Sequence, residues 1–172
     1  MFVAFNVLLS QVGWFACVLG AAQGMPWIGI AFAVPIIAWH VGRATFPGRE
    51  LTLVAAAALG GAAFETFLLQ AGWVRFESGQ LIEGAAPYWM VALWALFATT
   101  LNVSLRRLRP HPWPAALLGA FAGPAAYYAG ARLGALEFPA VGTALLAIAI
   151  GWAVLTPVLL GAARHLDGYA RP

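Results

Sequence analysis

The chain has 172 residues, of which 63% are hydrophobic and only 9% charged, against about 25% charged in an ordinary soluble domain. All nine basic residues are Arg, set against six acids for a net charge of +3. With most of the sequence in apolar runs, no soluble basic face can form, so no nucleic-acid partner is expected, and the high pI points to contact with anionic lipid headgroups.

A hydrocarbon core of about 30 Å takes roughly 20 residues of helix. Six runs approach that length: Phe2 to Ala22, Pro26 to Val41, Leu51 to Val74, Pro87 to Leu105, Trp113 to Ala131 and Pro139 to Ala162. They are too long, and too rich in Ala and Leu, for the alternating strands of an outer-membrane barrel. The expected fold is therefore all-α: one integral-membrane domain over residues 1–172, a polytopic bundle of six transmembrane helices joined by short Pro- and Gly-punctuated turns.

The first run contains Asn6, Gln11 and Cys17, the chain's single cysteine, so neither an intramolecular disulfide nor a framework of Cys ligands for a metal can form. It ends on Leu19-Gly-Ala-Ala-Gln23, loosely like a signal-peptidase site, but a cleaved signal begins with positive charge and this run has none. It is expected to stay as a helix. The second run ends near His40, ahead of the Phe46-Pro-Gly48 turn; a lone His there reads more readily as an interhelical hydrogen bonder than as a base. With His111 and His165 in other loops, no metal site and no cofactor are expected.

The third run holds Glu65, a carboxylate with no basic residue within nine positions. Its expected place is about ten residues from the outer end of the run and about fourteen from the inner, near the midplane. An ionised carboxylate there costs about 2.5 to 3.5 kcal/mol or more, so Glu65 should face the bundle interior. Its helical face carries Ala58, Gly61, Ala62 and Gly72, small enough for close approach, interrupted by Leu68 and Leu69. Gln11, and less directly Thr99 with Thr100, are the expected neighbours. Function as a proton-linked site and a purely structural bond across a helix interface both remain open for it.

On the fourth run Thr99, Asn102 and Arg106 share a face by three-and-four spacing. With Asn6, His40 and Ser104 they form a second polar group, expected to line a groove opening on the inner leaflet, where Arg106 suits a phosphate or carboxylate headgroup. The competing reading makes these groups interhelical hydrogen bonds with snorkelling Arg side chains. On the fifth run Tyr127 and Tyr128 lie near the outer end, as do Trp27, Trp73 and Trp89 on other runs; an interfacial aromatic belt accounts for them, together with Trp39 and Trp113 at the inner side. Trp14, Trp94 and Trp152 lie deeper and read as packing.

Arg43, Arg49, Arg106, Arg107, Arg109, Arg164 and Arg171 fall in alternate loops, leaving Arg75 and Arg132 for the others. By the positive-inside rule both termini face the cytoplasm. Laying Phe5 to Trp14 over Phe64 to Trp73 aligns Phe, Leu, Gln, Gly and Trp, with Asn6 opposite Glu65, which suggests a parallel duplication or a coincidence of composition. No nucleophile elbow, phosphate loop, metalloprotease motif or paired catalytic carboxylates are present, so no catalytic residue is assigned.

The runs Gln11-Val-Gly-Trp-Phe-Ala-Cys-Val-Leu-Gly-Ala-Ala22 and Tyr88 to Arg106, with Ser78-Gly-Gln and Gly119 to Pro139, resemble the characteristic patches of the bacterial inner-membrane family catalogued as domain of unknown function 2878. The resemblance implies a small multi-pass protein of the bacterial inner membrane with no assigned activity, and an Asp in the family where this chain has Glu65. Four functions stay in view. The first is an accessory or lipid-handling protein whose inner-leaflet groove binds a membrane lipid. The others are a small proton-coupled transporter using Glu65, a lipid-modifying enzyme using Glu65 or His40, and a structural subunit. A homo-oligomer or a membrane-complex partner is expected alongside the lipid.

Overall fold

The computed structural model describes residues 2–170, so Arg171 in the topology argument lies outside the described residues. Six α-helices follow in order: α1 (Phe2–Ala22), α2 (Trp27–Gly42), α3 (Pro47–Gln70), α4 (Tyr88–Leu101), α5 (Pro112–Arg132) and α6 (Val141–His165). A one-turn 3₁₀ helix, Arg106–Leu108, precedes α5. Three helices, α1, α3 and α6, are long and apolar enough to cross a membrane, while α2 and α4 are apolar but shorter.

Helix ends follow local chemistry more closely than hydropathy. α3 begins at Pro47, not Leu51, because a proline's fixed φ suits the first helical turn. It ends at Gln70, not Val74: Gly72 takes a φ of +70°, and its N–H and that of Trp73 return to the Leu69 and Leu68 carbonyls. That paired closure on a left-handed glycine is a Schellman motif. α4 stops at Leu101, four residues before its expected end, with Asn102 as its C-cap. Its 14 residues span about 21 Å at 1.5 Å per residue, short of a hydrocarbon core. This helix is the hub, packed on α1, α2, α3 and α6 with Trp89, Trp94, Ala98 and Leu101 buried.

The loops after α3 and α5 are tied by a two-residue antiparallel pair that the all-helical expectation lacks, β1 (Arg75–Phe76) with β2 (Leu136–Glu137). Ser78 donates to the Ala21 carbonyl at 2.9 Å and Trp89 donates from its indole to the Ser78 carbonyl at 2.9 Å. Trp89 is thus fully buried rather than part of a belt, whereas Trp27 and Trp113 are 60% and 82% exposed. These loops form one end of the bundle, here the far end. The opposite end gathers both described chain ends, since Asn6 meets Ser104 and Tyr169 meets His40.

Candidate functional site

Residues of α1, α4, α5 and α6 line a cleft of about 520 Å³, with α1 and α5 forming facing walls. On α5 its wall is made by Gly119, Ala122, Ala126 and Gly130, small residues that recur on one helical face. Trp14 and Leu93 face it from α1 and α4. No charged side chain lines it.

Behind the cleft lies Glu65, with 0% exposure. Its Oε1 accepts the Trp94 indole N–H at 2.8 Å and the Tyr127 hydroxyl, and Oε2 has no partner among the described residues. Trp94 and Tyr127 line the cleft but Glu65 does not, so they stand between the carboxyl and the open volume. Missing side chains make the geometry. A Cβ at Gly61 would lie 2.0 Å from Trp94 Cγ, one at Gly123 2.4 Å from Trp152 Cγ, and one at Gly151 2.3 Å from Phe64. Trp94 and Trp152 stack at 4.7 Å between centroids, each ring seated on another helix's glycine.

A second polar centre occupies the end that carries the termini. Glu50, in the first turn of α3, is 0% exposed and accepts His40 Nε2 at 2.8 Å on Oε1; on Oε2 it accepts Asn102 Nδ2 at 2.9 Å and the Gly168 N–H at 3.1 Å. Asn102 also donates to the Leu166 carbonyl at 3.1 Å and accepts Arg109 at 3.1 Å. Asp167 accepts both Arg106 at 2.8 Å and Arg109 at 2.9 Å. Tyr169 donates to the His40 carbonyl at 2.5 Å and the Phe46 N–H to the Gly168 carbonyl at 2.9 Å. The segment after α6 therefore lies as a strap across the α2–α3 and α4–α5 loops. Buried ionic groups persist when their remaining lone pairs and protons are also bonded, as they are here.

Of the residues singled out in the sequence, His40, Asn102 and Arg106 meet in this centre. In place of the expected groove, Glu50 and the strap take up their hydrogen bonds. Thr99 and Asn6 belong to a neighbouring contact, in which Asn6 donates to the Thr99 carbonyl at 3.1 Å and accepts the Ser104 hydroxyl. Gln11 lines the cleft and makes no hydrogen bond to Glu65. Glu65 sits five residues from the end of α3, about 10 Å beyond the helix midpoint at 1.5 Å per residue, which is why its partners are Tyr127 and Trp94 instead. The apparent duplication fails on the same ground: Asn6 is near the start of α1 and Glu65 near the end of α3.

Glu50, Asp167, Tyr169 and Tyr127 are missed by the sequence reading. Glu50 and Asp167 carry a legible signal, being the only acids among the Arg-rich loops and their adjoining helix ends. No cluster of three or more His, Cys, Asp or Glu side chains suited to a metal occurs among the described residues. No curated protein and no solved structure matches the chain. A family profile does match, over residues 3–158, and so covers both walls of the cleft while stopping short of the strap; the chain belongs to the family described as protein of unknown function, DUF2878.

Proposed function

We propose that this is a multi-pass protein of the bacterial inner membrane that handles a lipid, holding an aliphatic chain in the cleft between α1 and α5. The observation that carries this reading is the cleft itself. Its volume of about 520 Å³ falls within the range of roughly 300 to 1,000 Å³ usual for small-molecule sites. Its α5 wall runs from Leu118 to Gly130, about 18 Å at 1.5 Å per residue, which suits an extended chain. Its lining is mostly apolar and uncharged, as a site for an aliphatic chain requires.

Six crossings with both termini in the cytoplasm complete the reading. Six of the described Arg residues and two acids lie at the end that carries the termini, against two Arg and three acids at the far end, the asymmetry that positive-inside orientation produces. The inner-leaflet groove is replaced in this reading by the α1–α5 cleft, because the polar groups assigned to that groove bond to one another or to Glu50 and the strap.

The test is lipid retention. Protein taken from native membranes into lipid discs is expected to carry one lipid class well above its share of the membrane, seen by mass spectrometry. Ala122→Trp, which fills the cleft, is expected to lose that enrichment. A native chain that carries only bulk lipid, or a variant that keeps the enriched class, would sink the reading.

A further inference from the structure

The cleft is not uniformly apolar, and two of its polar members sit together on α6. Trp152 and Thr156 lie one turn apart and press against the glycines of α5: a Cβ at Gly119 would meet Thr156 Oγ1 at 2.4 Å. Thr156 is 2% exposed, and neither its hydroxyl nor the Trp152 indole N–H has a hydrogen-bond partner among the described residues. The Tyr127 hydroxyl lies near that N–H without an aligned bond to it.

A buried donor left unpaired is destabilising, because it has given up water without gaining a partner. A Thr inside a helix usually avoids this by bonding to a carbonyl one turn back. Thr99 and Thr100 on α4 do so, donating to the Leu96 and Phe97 carbonyls at 2.7 and 2.6 Å. Thr156 does not, and it is the one of the three set against a glycine at the cleft wall.

The two orphan groups define their complement. An indole N–H only donates and a hydroxyl can donate, so what would complete them is a hydrogen-bond acceptor, and a carbonyl oxygen serves both. The absence of any cation from the lining removes phosphate and carboxylate from consideration. Thr156 lies nine residues, about 13 Å, from the end of α6, deeper than the headgroup zone. We infer that the cleft receives an uncharged lipid bearing a carbonyl oxygen, with Thr156 as the specificity-determining donor. The Thr156 hydroxyl is buried beside the cleft, so the carbonyl is met by a side-chain adjustment, for which a helical Thr has a second χ1 rotamer. The inference rests on the lipid-cleft reading above.

Full-length protein in mild detergent is titrated with dioleoylglycerol, which has ester carbonyls, and with its dialkyl ether analogue, and binding is read by native mass spectrometry. The ester lipid is expected to bind roughly fivefold more tightly, the factor that one hydrogen bond of about 1 kcal/mol gives at about 1.4 kcal/mol per decade. Thr156→Val keeps the side-chain shape and should erase the preference without weakening the ether analogue, while Thr156→Ser should retain it. Equal binding of the two lipids by the native chain, or a preference that survives Thr156→Val, overturns the inference and leaves the cleft reading standing. Binding of neither lipid removes both.

Discussion

Glu50→Ala is the sharpest test of the polar centre. The carboxylate is fully buried and accepts three hydrogen bonds. Its removal leaves His40 Nε2 and the Gly168 N–H without an acceptor, whereas Asn102 keeps the Leu166 carbonyl. Two orphaned buried donors at about 1 to 3 kcal/mol each bracket the loss of about 3 to 5 kcal/mol expected when a buried pair is broken from one side. In a chain of this size that corresponds to a fall of roughly 6 to 20 °C in the unfolding midpoint. The chain supplies its own reporter: Cys17, the single thiol, is 0% exposed. A thiol-reactive dye in a thermal ramp in mild detergent should label it at a markedly lower temperature in the variant. Glu50→Gln should fall between the two, because its amide keeps one acceptor oxygen but presents N–H to donors. A midpoint for Glu50→Ala within about 2 °C of the native chain, less than 1 kcal/mol, would refute the claim that Glu50 organises this end.

Alkaline pH should loosen the strap through Tyr169. Burial first, and then the Glu50 charge, push its phenol from 10.0 up to about 12, with Arg43 opposing. The folded chain holds this proton where the unfolded chain gives it up, so the contribution is complete below pH 10 and is lost as pH rises through about 12. Midpoints measured across that window should fall less steeply in Tyr169→Phe; an unchanged slope would assign the effect to another group. Orientation is testable with cysteines on the Cys17 background, since that thiol is buried. Ile82→Cys, at a position 70% exposed in the far-end loop, should react with a membrane-impermeant maleimide in spheroplasts, and Arg164→Cys only after permeabilisation. The reverse pattern would invert the topology.

The bundle is legible in the sequence because apolar runs and Pro–Gly punctuation are local properties of the chain. α1 is read to the residue, and the other five elements are found with displaced ends. The displacement at α3 has the largest consequence. Hydropathy carries the helix on through Trp73 and Val74, whereas Pro47 and Gly72 shift it four residues earlier. That shift moves Glu65 off the centre and away from its expected neighbour Gln11, and it brings Glu50 into the first turn of the helix. Tyr127 and Tyr128 show a different limit. Successive residues on a helix point about 100° apart, so only one of them can turn inward, and composition does not say which. Tyr127 is 5% exposed and Tyr128 48%. The cleft is illegible for a third reason: it is a space between helices distant in sequence, and no single segment encodes it.

The strap also orders events in time. Residues 166–169 are translated after all six helices, yet they supply the Leu166 carbonyl, the Asp167 carboxylate and the Gly168 N–H that complete the bonding of Asn102, Arg109 and Glu50. Helices formed earlier must wait with a buried His, Glu and Asn only partly satisfied until this segment arrives. A chain interrupted just after α6 would thus keep its apolar bundle and leave the polar centre at that end incomplete.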